Sequence, residues 1–172
     1  DIVRYGKEQN KEMALTGNAD KKNITKLDLK NIQKKRKSDI VWMNDRWIYN
    51  EIQPYIHLAN VNAGWNFEWD RSESCQFTEY KKGQFYDWHC DSYEEPYNNP
   101  ENQNVHGKLR KLSMTVSLTD PDEYEGGDLE FDFRNQDEAS QPRVCEEIRS
   151  KGSVVVFPSF VWHRVKPVTK GI

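Results

Sequence analysis

The sequence predicts a mainly β domain of the sandwich, barrel or jelly-roll kind, with one helix flanking it on the N-terminal side. Three observations carry this. Residues 111–118 alternate cleanly, with Leu112, Met114, Val116 and Leu118 on one face and Ser113, Thr115 and Ser117 on the other. Residues 152–158 contain the continuous apolar run Val154–Phe157, expected of a strand buried on both faces. From Trp65 onward, short strand-like runs are separated by turn residues, which is how such folds read.

Residues 1–37 are polar and weakly periodic and are expected as a basic segment of coil with short elements, ahead of a domain over 38–172. Residues 1–39 hold 11 Lys and Arg against 6 Asp and Glu, a net of +5, so the remainder carries −8 of the overall −3. The run Lys34-Lys35-Arg36-Lys37 has no interleaved aromatic for base stacking and reads as a solvated arm. Residues 38–42 read as a short strand, with Asn44 as a helix N-cap. Ile48, Ile52, Tyr55, Ile56 and Ala59 then recur at helical spacing, Gly64 suits the stop, and Pro54 is expected to kink or restart the helix.

Strands are predicted at 74–80, 85–91, 111–118, 128–133 and 152–158, with a turn cluster at 120–127. The polar stretch 92–108 is longer than connecting loops usually are, and reads as a substrate lid presenting Tyr93 and Tyr97 or as plain disorder.

At 172 residues the chain is one domain's worth, and aromatics at 12% must supply much of its core. No run approaches the roughly 18 apolar residues of a membrane span, and no signal-peptide pattern opens the chain. Three cysteines without Cys-x-x-Cys spacing argue against a disulfide framework or a zinc knuckle, so a reducing, cytoplasmic setting is expected. The chain starts with Asp and is expected to be a trimmed piece.

His89 and Asp91 are two residues apart, and in an extended strand they would project the same way. Four His and 13 Asp give about 0.3 such pairs by chance, so the pair alone decides nothing. Of the remaining histidines, His57 falls in the helix and His106 in the long loop, whereas His163 follows the buried strand, which would hold it rigidly. Two imidazoles and one carboxylate form a facial triad that leaves positions open on Fe(II), unlike a closed structural zinc site.

The run Tyr80-x-x-Gly83-x-x-Tyr86-x-x-His89-x-Asp91 resembles the signature of Fe(II)/2-oxoglutarate dioxygenases, and is most similar to prolyl 4-hydroxylase-like and PKHD-type hydroxylases. Residues 110–131 and 151–171 match the same family in order and spacing, so the resemblance covers about 38–172. It implies a double-stranded β-helix (jelly roll) with Fe(II) held by His89, Asp91 and His163. It also implies O₂-dependent conversion of 2-oxoglutarate to succinate and CO₂, coupled to hydroxylation of a C–H bond, with ascorbate as a candidate reductant. Tyr80 resembles the tyrosine that hydrogen-bonds the co-substrate, and the Ser113, Thr115 and Ser117 face would line the same pocket.

The family places an Arg or Lys ten residues after the distal His to clamp the far carboxylate of 2-oxoglutarate. Position 173 lies past Ile172, so truncation is expected; Lys166 and Lys170 are nearby cations, and Lys170 is the candidate within the chain. The expected substrate is a prolyl residue of a peptide or protein, or a related small amino acid. The alternatives are a non-catalytic jelly-roll binding module and an oxidative nucleic-acid demethylase, the latter supported only by the basic arm. No membrane partner is expected, and nucleic acid is disfavoured.

Overall fold

The computed structural model describes residues 1–15, 24–92, 94–134 and 141–172. A short helix, α1 (Ile2–Glu8), lies so close to the sheet beneath it that a Cβ on Gly6 would come within 2.6 Å of the Phe77 ring. Then come β1 (Glu12–Met13), α2 (Lys26–Lys35), β2 (Arg36–Lys37) and β3 (Asp39–Met43). Thr25 and Asp28 close a capping box at the start of α2, each side chain accepting from the other's backbone N–H. The first 37 residues, expected as coil with short elements, therefore supply two helices and two strands.

Helix α3 (Arg46–Asn62) is the predicted flanking helix, with Gly64 at φ +67 just past its end. Asp45 rather than Asn44 occupies the N-cap position, and the helix runs through Pro54 without restarting. Pro54 removes one N–H from the ladder, but Pro54 and Asn50 are both exposed, so water can serve the carbonyl left without its donor. Ile48 is buried, whereas Tyr55 points outward from the expected apolar stripe.

The remaining strands are β4 (Cys75–Glu79), β5 (Phe85–His89), β6 (Leu112–Val116), β7 (Glu125–Gly126), β8 (Leu129–Asp132), β9 (Arg143–Val144), β10 (Val154–Pro158), β11 (Trp162–Val165) and β12 (Val168–Lys170). They form sheets of order β1-β3-β4, β10-β6, β2-β5-β11-β8-β9 and β12-β7, and every pairing is antiparallel. One core cluster, Val41, Met43, Ile48 and Phe77, joins β3 and β4 to α3 and receives Ile2 and Tyr5 from α1. A second, Leu129, Phe131, Ile148 and Phe157, lies between the five-stranded sheet and β10, where Phe131 and Phe157 meet edge to face at 4.9 Å. Antiparallel strands packed around these two clusters make the predicted jelly roll.

Strand β10 is less buried than its sequence suggests. Phe157 is buried, but Val154, Val155 and Val156 are half-buried. Val154 and Val156 face α3 around a cleft that also involves Tyr55 and Leu58, so the helix covers that side only in part.

Residues 94–108 are organised rather than disordered. The segment closes on itself through Tyr97 N–H to the Lys108 carbonyl at 3.0 Å and Gly107 N–H to the Tyr97 carbonyl at 2.9 Å. Tyr93, expected to be part of a lid, lies outside the described residues. The three cysteines are free. Among the described residues no helix is long and apolar enough to cross a membrane.

Candidate metal centre

Strand β5 ends at His89, and β11 runs beside it with His163 directly opposite. His163 thus has its own strand, paired with β5 on one side and with Phe131 of β8 on the other. This is a firmer seat than the expected position just after β10. The β5–β11 register slips between His163 and Val165: Tyr86 and His89, three apart, oppose residues only two apart. The extra residue turns Tyr86 onto the same face as His89, and their rings stack with centroids 3.5 Å apart. The bulge explains why a tyrosine three residues before the histidine, on the wrong parity for a plain strand, still faces the site.

Asp91 lies beyond the end of β5, so strand alternation is not what aims it. Its backbone N–H donates to the Ser159 carbonyl at 2.9 Å, as does that of Ser92. Arg110 Nη1 donates to the Asp91 carbonyl at 3.0 Å, and Arg110 is itself held by Glu73 through bonds of 2.9 and 2.6 Å. The Ser113 hydroxyl donates to Asp91 Oδ2 at 2.7 Å and lies 2.9 Å from the Ser159 hydroxyl. Ser159 is fully buried in the turn from β10 to β11, so it ties Asp91 to the strand carrying His163.

Ligand atoms of His89, Asp91 and His163 lie within 4.8 Å of one another. Each histidine Nδ1 meets a backbone carbonyl two residues earlier, Asp87 at 2.8 Å and Val161 at 2.9 Å. A carbonyl only accepts, so Nδ1 carries the proton and Nε2 keeps its lone pair. The two Nε2 atoms stand 3.6 and 3.7 Å from Asp91 Oδ1 and Oδ2, too far for hydrogen bonds. Two lone pairs and a carboxylate thus converge without bonding one another. This donor set, with backbone carbonyls orienting both rings, fits a divalent metal with open coordination positions.

The electrostatics agree. Burial would raise the Asp91 carboxyl, but His89, His163 and the Ser113 hydroxyl outweigh it and hold the group well below the usual carboxylate range. Burial, reinforced by His89, pushes His163 down against the pull of Asp91, which favours the neutral imidazole that a metal needs. Phe157 closes on His163 edge to face at 4.8 Å, fixing its ring by packing.

Of the other residues singled out in the sequence, Ser113 reaches the cluster, but its hydroxyl is committed to Asp91. Thr115 shares that face, opposite Val155, and is exposed. Among the described residues the Ser117 hydroxyl makes only a 3.5 Å contact, to the Thr119 carbonyl. Burial pushes the Tyr80 phenol up, with Arg36 and Ser38 pulling it down and the Asp91 charge adding a smaller push upward. Lys170 is an exposed residue of β12 whose amine pairs with Glu125 at 2.7 Å. His57 packs at a tilt against Trp69, ring centres 4.6 Å apart, and His106 accepts from Asn99 N–H inside the 94–108 excursion. Sequence reasoning missed Arg110, Ser159 and Arg36. Ser159 follows directly on the apolar run, but nothing in its residue type announces a hub. Arg36 was read as part of a solvated arm, yet it is only 6% exposed, because β2 pairs with β5 and folds its side chain inward.

The family model described as the 2OG-Fe(II) oxygenase superfamily matches residues 75–172. Over 97 residues the chain is 34% identical to a PKHD-type hydroxylase of Pseudoalteromonas atlantica, covering 56% of this chain and 37% of that protein. A PKHD-type hydroxylase of Synechococcus is 44% identical over 61 residues, covering 36% and 24%. The chain therefore spans between about a quarter and little more than a third of the length of the curated relatives it matches. A solved prolyl-4-hydroxylase from Pseudomonas putida shares the fold at TM-score 0.54 and 22% identity, covering 80% of this chain and 66% of that one. The viral collagen prolyl hydroxylase of Paramecium Bursaria Chlorella virus-1, solved as a 2OG complex, does so at 0.56 and 20%, covering 80% and 74%. On a family match spanning more than half of its residues, the chain belongs to the 2OG-Fe(II) oxygenase superfamily.

Proposed function

We propose that the protein is an Fe(II)- and 2-oxoglutarate-dependent dioxygenase that hydroxylates a C–H bond, with a prolyl residue or related amino acid as substrate. The observation that carries this reading is the convergence of two Nε2 lone pairs and one ionised carboxylate on the paired ends of β5 and β11. His89, Asp91 and His163 would hold the metal. Bound there, Fe(II) would supply the redox chemistry by which O₂ and 2-oxoglutarate become succinate and CO₂ while the substrate is hydroxylated. The chain's own part is to keep both imidazoles neutral and Asp91 ionised, and to fix all three before any metal arrives. The prolyl assignment leans on solved relatives described as prolyl hydroxylases. Ascorbate is assigned the role of keeping the metal ferrous.

The test is Fe(II)-dependent release of CO₂ from labelled 2-oxoglutarate across a panel of prolyl peptides and free amino acids, with and without ascorbate. Turnover stimulated by a prolyl peptide supports the full reading. Turnover with free amino acids only moves the substrate, and absence of metal-dependent 2-oxoglutarate binding overturns it.

A further inference from the structure

Three aromatic rings stand in a row that the metal centre does not use. Trp65 and Phe67 lie 6.4 Å apart between ring centres, and Phe67 meets Phe160 edge to face at a further 6.4 Å. Trp65 and Phe67 are half-buried, whereas Phe160 is 60% exposed. The row is anchored by Asn60, a buried residue of α3. Its side chain grips Phe67 twice, Nδ2 donating to the Phe67 carbonyl at 2.9 Å and Oδ1 accepting the Phe67 N–H at 3.0 Å. Its carbonyl accepts from the N–H groups of Trp65 and Asn66 at 3.1 and 3.3 Å. A buried amide thus fixes the backbone that carries two of the rings, and they are ordered before anything binds.

The row ends beside Asp91. Phe160 follows Ser159, whose carbonyl takes the N–H groups of Asp91 and Ser92, and the Phe160 carbonyl receives the Cys90 thiol at 3.2 Å. The segments that meet there are acidic. In 65–73 and 94–110, six Asp and Glu stand against three Lys and Arg, a net of −3 that equals the net of the whole chain and leaves the remainder neutral. Ion pairs join Asp70 to Lys108 and Glu73 to Arg110. Glu68, Glu94, Glu95 and Glu101 are left, all exposed and, among the described residues, without an ion-pair partner. In these segments only Arg71 offsets them.

Rows of aromatic rings seat two kinds of chain, since nucleic-acid bases stack on them and apolar faces of extended peptides pack on them. Charge decides between the two. A nucleic-acid platform needs cations along the phosphates, and this rim is anionic. Spacing agrees: side chains two apart in an extended peptide recur about every 6.6 Å on one face, close to each 6.4 Å step of the row. We propose that Trp65, Phe67 and Phe160 seat an extended cationic peptide, whose Lys or Arg side chains are drawn by the unpaired glutamates and whose prolyl residue is thereby brought to the metal centre. This rests on the function proposed above and deepens it, because a free amino acid is too short to span the row. Charges this exposed act mainly on encounter and are screened by salt.

The test is fluorescence anisotropy of the protein loaded with Mn(II) and 2-oxoglutarate, using three labelled probes. These are a proline-centred peptide rich in lysine, the same peptide with glutamate in place of lysine, and a single-stranded oligothymidine. The lysine peptide should bind about tenfold or more tighter than the glutamate peptide, and its affinity should fall as salt rises. Phe160→Ala should lose about fivefold or more of that affinity while Mn(II) and 2-oxoglutarate binding hold, and Phe160→Tyr should keep it. Glu94→Gln combined with Glu95→Gln should weaken the lysine peptide and flatten its salt dependence. Equal affinity for the two peptides, tighter binding of the oligonucleotide, or full peptide affinity in Phe160→Ala each overturns the seat and leaves the Fe(II) and 2-oxoglutarate reading standing. If Phe160→Ala does not fold, the double glutamate variant must still show its loss, and the absence of that loss refutes the seat. A native protein without Mn(II)-dependent 2-oxoglutarate binding overturns the proposed function and, with it, the seat as a substrate site.

Discussion

Replacing Ser113 with alanine removes a single hydroxyl from behind Asp91, one of the three proposed metal ligands, and its effect can be sized from the geometry. The bond to Asp91 Oδ2 is 2.7 Å long, at the short end expected for a hydroxyl donating to a carboxylate. Hydrogen bonds to charged groups contribute about 1.5–3 kcal/mol, or roughly 10- to 150-fold in an equilibrium constant. Groups that orient metal ligands contribute about 10–100-fold in metal affinity. Ser113 is only half-buried, and Thr115 on the same face is exposed, so water can take over part of the bond. The expected loss is therefore near the low end, about tenfold in Fe(II) or Mn(II) affinity. Anaerobic calorimetric titration measures it, with Ser117→Ala as the control because that hydroxyl has only a long contact to Thr119. Unchanged affinity in a Ser113→Ala protein that melts like the native one would refute the reasoning. Asp91 would then be aimed by its backbone grips to Ser159 and Arg110 alone.

His89→Ala or Asp91→Ala should abolish stable Fe(II) binding while leaving the fold, since two ligands do not retain a labile divalent ion; native-like titration of either variant would remove the triad. Gly6→Ala drives a methyl into the Phe77 ring and should destabilise the protein by about 1–3 kcal/mol, lowering the melting temperature by several degrees; an unchanged melt would mean that α1 detaches at no cost. The folded-state pKa of His163 is depressed by burial, so the unfolded chain binds its proton more readily and metal-free stability is fully present only above about pH 6.5. Stability should fall as pH drops from there toward the folded value, and His163→Gln should reduce that slope in chemical denaturation. Replacing residues 98–106 with a short Gly-Ser linker should leave Mn(II) and 2-oxoglutarate binding within about twofold; a larger loss would mean that the excursion supports the metal site itself.

The parts of the site legible in the sequence were those with local causes. His89 is announced by its strand and the signature around it, and the Ser113 face by alternation. A continuing strand would place Asp91 with His89, but its position comes from Ser159, Ser113 and Arg110, and the grip of Ser159, 68 residues later, on the Asp91 N–H is a backbone carbonyl that any residue would offer. The strand holding His163 was not separable by periodicity from the apolar run before it, since the turn at 158–161 is so short. Arg36 was misread because a run of four cations describes a solvated surface unless a pairing partner is known. That partner, Tyr86, lies 50 residues away and faces inward only through a bulge. Charge and period are local quantities, and each missed residue is defined by a non-local pairing.

The grip on Asp91 also settles how motion can travel through this part of the molecule. The excursion at 94–108 leaves from Ser92, whose N–H is held by the Ser159 carbonyl, and returns to Arg110, whose guanidinium holds the Asp91 carbonyl. Both feet of the loop are thus pinned to the residue that must not move. Tyr97, inside the excursion, faces the Arg110 guanidinium at 5.7 Å, so a partner that displaces Tyr97 bears directly on the residue holding the Asp91 carbonyl.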